Sequence, residues 1–226
     1  VFGEIKTNGS FLVPMRIFLG SVWMRAGLEK LLSDKWFSGE ELTTYLSNQI
    51  ASGVIQIPGY QHLVETFFMP HAQLMSWVVM VGQLLAGLGI LLGIFTNAAL
   101  LGGLFMNINF ILAGSINPSA FYVIMQTVLF LANTGAILGF DKVICKRIPY
   151  EICVAQRHDI RPDFPIERWS YFSLVLISLC VALGSIFFIN IPDFSIAHAH
   201  HDQGAVLSML SLLGGLGALF KYLSIR

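Results

Sequence analysis

The run LMSWVVMVGQLLAGLGILLGIF, residues 74–95, decides the fold. It carries no charged side chain, and Gln83 is its only amide. At a rise of about 1.5 Å per residue it is long enough, as a helix, to cross about 30 Å of hydrocarbon. A helix is the natural form, because a segment in lipid must satisfy its own backbone hydrogen bonds. Working outward, similar apolar runs occupy 11–32, 98–114, 120–140, 170–189 and 204–223. The run 98–114 sits at the lower length limit of about 17 residues. All are too long and too continuously apolar for the alternating strands of a membrane barrel. The reading is an all-α integral membrane protein with about six spans.

Composition agrees. Of 226 residues, 55% are hydrophobic and only 12% charged, against about 25% charged in a typical soluble domain. Thirteen Lys and Arg balance thirteen Asp and Glu, so the chain has no basic footprint for nucleic acid. Cys145, Cys153 and Cys180 form neither a CxxC pair nor a metal-ligand spacing. No Walker loop or GxGxxG fingerprint is present. The first apolar run lacks an Ala-x-Ala site and carries Arg16, Arg25, Glu29 and Lys30, so it is not expected to be a cleaved signal peptide.

Basic residues set the orientation. Connection 141–168 holds Lys142, Lys146, Arg147, Arg157, Arg161 and Arg168, and Lys6, Lys221 and Arg226 lie near the ends. Connections 115–119 and 190–203 hold no Lys or Arg, and 33–73 holds only Lys35. By the positive-inside rule, both termini and 141–168 are cytoplasmic in a cell inner membrane or an equivalent energy-transducing membrane. The chain divides into a four-helix domain, 1–141, a basic linker, 142–168, and a two-span hairpin, 169–226. Tight connections at 96–97 and 115–119 make neighbouring antiparallel helices of the spans they join. No internal repeat is evident.

Connection 33–73 has structure of its own. Ser38 to Glu41 reads as a capping box, followed by Leu42, Tyr45, Leu46 and Ile50 at helical spacing. After Pro58 and Gly59 come Tyr60, Leu63, Val64, Phe67 and Phe68, again one apolar face. Two short amphipathic helices on the outer membrane surface fit this pattern, as does a lid that only covers the bundle.

Ionisable and amide groups inside spans need a reason to be there. Arg25 and Glu29 are four apart and pair on one helix face; the expectation is that this face looks into the bundle. By helical rise, Arg25 lies roughly 10 Å below the outer end of its span, and Gln83, Asn109 and Gln126 about 7–13 Å below theirs. Four helices therefore place polar groups in one layer of the outer half-membrane. The layer suits the carbonyl oxygens of a quinone head or a small oxyanion; the alternative is hydrogen bonding that glues helices together. A second candidate is His198, His200, His201 and Asp202, whose imidazoles and carboxylate could bind Zn or Cu, with His62 and His71 on the same side. The alternatives there are a solvated polar loop or a pigment ligand.

Several short motifs carry a resemblance. They are Arg16-xxx-Gly20-xxxxxx-Gly27-xx-Lys30, the glycine-rich run Gly82 to Gly93 with Thr96-Asn97 after it, Asn107-Ile-Asn109, Asn117-Pro118, and Leu138-Gly-Phe-Asp141. Over residues of about 11–141 the chain resembles the DoxX/DoxD family of small four-helix membrane proteins. The resemblance implies a four-helix bundle and a quinone-linked role, since the DoxD type is the small subunit of a thiosulfate:quinone oxidoreductase. Members often carry Glu where Gln83 stands and Arg where Asn97 stands. Hairpin 169–226 lies outside this core and reads as an addition for docking into a larger complex.

Two functions follow. One is a membrane subunit of a quinone-linked oxidoreductase complex, with Arg25, Glu29, Gln83, Asn109 and Gln126 shaping a quinone site. The other is a non-catalytic auxiliary subunit that stabilises a larger respiratory or photosynthetic complex and binds lipid or pigment.

Overall fold

A computed structural model describes residues 12–132, 134–136, 138–144, 165–189 and 202–224. Among them there are helices and turns only. Helix α1 is Val13–Leu31, α2 Asp34–Phe37, α3 Glu40–Ala51 and α4 Pro58–Leu63, the last continuing as a π-helical turn, Val64–Phe68. Then come α5 (Ala72–Leu92), α6 (Thr96–Leu112), α7 (Ile116–Leu131) and a short α8 (Asp141–Ile144). The C-terminal pair is α9 (Pro165–Ile186) and α10 (Gln203–Ser224). Most of linker 142–168 lies outside the described residues, with Cys145 and Cys153; Cys180 is exposed on α9.

The long helices are apolar on both faces. Phe18, Leu74, Leu85, Phe105 and Phe121 point outward while Leu19, Ile90, Leu100 and Leu129 are buried. A helix that is hydrophobic all round belongs in a large core or in lipid. Among the described residues α5 alone is both long and apolar enough to cross a membrane, with a mean hydropathy of 2.0. The helices Thr96–Leu112 and Ile116–Phe130 and the segments Tyr171–Ile186 and Gln203–Leu219 are apolar but shorter. The run 120–140 is not one helix. Regular structure starts earlier, at Ile116, and stops at Leu131; beyond it, a short 3₁₀ turn, Thr134–Ala136, lies at the Arg16 end of the bundle.

In lipid the hydrophobic effect does not drive helices together, so close approach must. Helices α1 and α5 meet on glycine. A Cβ at Gly20 would stand 2.7 Å from the Leu91 backbone, and one at Gly87 would stand 2.6 Å from the Met24 backbone. This contact fixes the roll of α1: Arg16, Leu19, Gly20, Trp23 and Gly27 form its buried stripe.

The end of the bundle at Arg16 and Asp141 is tied by polar groups. Arg16, 1% exposed, donates from Nη1 to the Thr134 carbonyl and from Nη2 to the Leu138 carbonyl. Asp141 accepts from the backbone N–H groups of Phe95 and Thr96 and from the Thr96 hydroxyl, which caps the start of α6. The opposite charge of Asp141 also acts on Arg16.

The connection 33–73 is a cap on the opposite end of the bundle. The Trp36 indole donates to the Ser76 carbonyl of α5, and Leu46, Ile55, Tyr60 and Val64 make a small core with Ala113 of α6. The expected capping box does not form. Ser38 Oγ turns back to the Lys35 carbonyl, and Glu41 accepts instead from Ser33 Oγ. Gly39 takes the N-cap position at φ 82°, where a Cβ would stand 2.6 Å from the Gln73 backbone.

Helices α9 and α10 pair through Ser185 and Ser208, whose hydroxyls are 2.8 Å apart. Val206 and Leu210 of α10 pack with Ile111, Ile116 and Val123 of α6 and α7.

Candidate functional site

Between the bundle and its cap lies a cavity of about 580 Å³, partly open at its edge, where Phe105 and Val78 are exposed. That is within the range of small-molecule sites. Its wall is mainly aromatic and aliphatic. Trp23 comes from α1, Trp36, Tyr45, Tyr60 and Phe68 from the cap, Phe105 and Phe110 from α6, and Tyr122 from α7. Polar residues join this wall at few places: Gln83 on α5, Asn107 and Asn109 on α6, Ser119 on α7, and Lys30 with Glu41 beside the cap.

Each polar group has a definite state. Among the described residues, nothing donates to Oε1 of Gln83, which is 4% exposed. Nor, among them, does the indole N–H of Trp23, 3% exposed, find an acceptor. Asn107 donates through Nδ2 to Gln126 Oε1 at 2.9 Å, while Gln126 Nε2 stays without a partner beside Gly103. Leaving a buried polar atom unmade costs about 1–3 kcal/mol. Three such atoms, Gln83 Oε1, Trp23 Nε1 and Gln126 Nε2, on or just behind one cavity wall are the chemistry of a site that expects a ligand or water. The residues carrying them are all neutral.

The cap side differs. The Tyr60 hydroxyl donates to the Asn109 carbonyl at 3.1 Å, and burial pushes its phenol pKa up, so it remains a donor. Asn109 Nδ2 donates to the Phe105 carbonyl of its own helix. Lys30 Nζ lies 4.8 Å from the Trp36 ring centroid, a cation–π contact that closes this edge.

Of the polar layer expected on four helices, Gln83 and Asn109 line the cavity, and Gln126 stands behind the wall through Asn107. Arg25 and Glu29 do not belong to it. They form an ion pair at 2.7 Å with side chains 81% and 62% exposed. The glycine contact with α5 rolls Trp23 and Gly27 inward, and residues 25 and 29 fall off that stripe. The buried arginine of α1 is Arg16, at the other end. Trp23 and Asn107 are site residues that the sequence reading does not single out. Both carry a signal: Trp23 follows Gly20 by three and precedes Gly27 by four, and Asn107 stands in the Asn107-Ile-Asn109 motif.

His198, His200 and His201 lie outside the described residues. Asp202 is described, and its Oδ1 accepts from the Ala205 N–H at the start of α10. His71 Nδ1 is 2.9 Å from the Phe67 carbonyl. Among the described residues no three His, Cys, Asp or Glu side chains gather where they could hold a metal ion.

An apolar helical bundle beside a capped cavity with a few neutral polar atoms defines a helical protein of membrane type, with a cavity of small-molecule size. Residues 11–115 match the model of the DoxX family, a family of membrane proteins, so the chain carries a DoxX segment comprising α1, the cap, α5 and α6. Helix α7 and the hairpin follow it. No curated protein and no solved structure matches the chain.

Proposed function

We propose that the protein is a membrane subunit of a quinone-linked oxidoreductase complex, with the cavity as its quinone site. The observation that carries this is the pair of partnerless buried atoms, Trp23 Nε1 and Gln83 Oε1, in residues of one aromatic wall. A quinone ring presents carbonyl oxygens and, when reduced, hydroxyl groups. The Trp23 indole N–H suits a carbonyl, and Gln83 Oε1 suits a hydroxyl. The aromatic side chains would stack on the ring and exclude water. When bound, the quinone supplies the electron-accepting chemistry; the residues of this chain bind and orient it. Gln83 cannot relay a proton as a carboxylate could, so electron donor and proton exchange belong to a partner. The thiosulfate reaction of the DoxD type is one such setting. In this reading about six helices span an energy-transducing membrane, with the termini and the basic linker cytoplasmic and the cap on the outer face.

The neutral character of the inner wall favours a second reading, an auxiliary subunit that holds a lipid or pigment for a larger complex and performs no chemistry. Retention of decylubiquinone by the purified protein distinguishes them. Wild type is expected to retain it, and Gln83→Leu and Trp23→Phe to lose it while keeping the fold. Equal retention in all three removes the quinone site. Co-purification with a large catalytic partner supports the first reading, and with an intact photosystem or respiratory complex the second.

A further inference from the structure

We infer that the C-terminal hairpin is a latch on the cap, and that Gln203 is a positioning residue governing access to the cavity. The inference rests on reading the cavity as a site that exchanges small molecules, but not on which molecule it takes.

Gln203 is the first residue of α10 and is fully buried. It exchanges hydrogen bonds with Gln56: the Gln56 N–H donates to Gln203 Oε1 at 3.0 Å, and the Gln203 N–H donates to Gln56 Oε1 at 3.1 Å. Gln203 Nε2 also donates to the carbonyls of Ile111 and Leu112, at 2.9 and 3.1 Å. Those carbonyls end α6, where a helix runs out of its own donors; the Ile111 carbonyl accepts the Gly114 N–H at 3.0 Å as well. One side chain thus joins three elements: the hairpin, the end of α6, and the cap.

Gln56 lies between α3 and α4, the two cap helices that bring Tyr45, Leu46 and Tyr60 to the cavity wall. Ile55 and Ile57 beside it belong to the small core under the cap. On its other side the cap is tied to α5 by the Trp36–Ser76 hydrogen bond and the close approach of Gly39 to Gln73. Holding residues 55–57 down keeps α3 and α4 over the cavity. Releasing them lets that edge swing while the bundle stays intact, since α1, α5, α6 and α7 have their own core. The latch is supplied by a part of the chain beyond the DoxX segment.

The test follows cavity accessibility. In a chain with Cys145, Cys153 and Cys180 replaced by alanine, Ser119→Cys places one thiol on the cavity wall, and a sister protein carries Thr134→Cys at the buried Arg16 end of the bundle. N-ethylmaleimide labelling rates are measured with Gln203 intact, with Gln203→Met, and with Gln203→Glu. Methionine keeps the length and removes every side-chain hydrogen bond. Glutamate keeps the acceptor for the Gln56 N–H. The expected result is at least a tenfold faster labelling of the thiol at position 119 in the methionine variant, partial recovery in the glutamate variant, and no change at position 134. An unchanged rate at position 119, or an equal rise at position 134, overturns the latch. A methionine variant that fails to fold also overturns it, because the hairpin would then be structural for the whole bundle. Decylubiquinone plays no part in this readout, so loss of the quinone reading leaves the result interpretable.

Discussion

Arg16 Nη1 donates to the Thr134 carbonyl at 2.6 Å, across 118 residues of sequence. With the bond from Nη2 to Leu138, the guanidinium fork spans two carbonyls of the segment between α7 and α8. Asp141 supplies the counter-charge and caps α6 at the same place. Arginine is suited to this because its planar fork addresses two acceptors at once, which a lysine ammonium cannot do.

Arg16→Met is therefore expected to cost about 3–5 kcal/mol, the range for breaking a buried charged contact from one side. Arg16→Lys should recover little of it. Thermal melting in detergent measures both. Melting of Arg16→Lys at the wild-type temperature would show that charge alone matters there.

Arg25 and Glu29 give the opposite expectation. Their side chains lie off the buried stripe of α1 and away from the cavity wall, so Arg25→Ala and Glu29→Ala should leave decylubiquinone retention unchanged. A clear loss of retention in either would place the pair in the site after all.

The glycine seam between α1 and α5 gives a graded pair. Gly87→Val should prevent close packing of α1, because even its Cβ would stand 2.6 Å from the Met24 backbone. Gly102→Ala should be neutral or stabilising by about 0.4–1 kcal/mol, since no atom lies within 4 Å of the added carbon. Expression and melting of the two proteins, side by side, test whether close approach or mere helix propensity governs these glycines.

Tyr60 makes the cap sensitive to alkali. Burial raises its phenol pKa above the unfolded value of about 10. The folded state therefore holds its proton where the unfolded chain has released it. This contribution is complete below about pH 10 and is lost as pH rises further, towards the raised folded value. Stability of wild type should fall more steeply above about pH 10 than that of Tyr60→Phe, with the two curves parallel between about pH 6 and 9. Parallel curves throughout would mean that the phenol ionises freely.

How much of this is legible in the sequence differs from residue to residue. Gln83 stands out because it is the lone amide in an uncharged run, and it lines the cavity. Counting helical rise puts Asn109 in one layer with Gln83, and both line the cavity. For Arg25 the same count misleads, for a geometric reason. Depth along a helix follows from counting, but roll about the axis depends on where a neighbour comes closest. Gly20, Gly27 and Gly87 set that roll and bury Arg16 and Trp23 instead. The connection 33–73 carries an amphipathic pattern that fits membrane surface and protein surface equally. Only the partners of Trp36 and Tyr60 decide between them. Helix ends move for the same kind of reason: residues 132–140 are apolar enough for a span, yet the carbonyls of Thr134 and Leu138 are needed by Arg16.

The Gln56–Gln203 exchange also orders events in time. Chains emerge from the ribosome N-terminus first, and folding follows emergence. Residue 203 appears 92 residues after Ile111, to whose carbonyl it donates. The bundle and cap can assemble before then, but the final fastening waits for the start of α10. A nascent or truncated chain ending before that point would lack the donor that Gln203 brings to the Leu112 carbonyl and to the cap at Gln56.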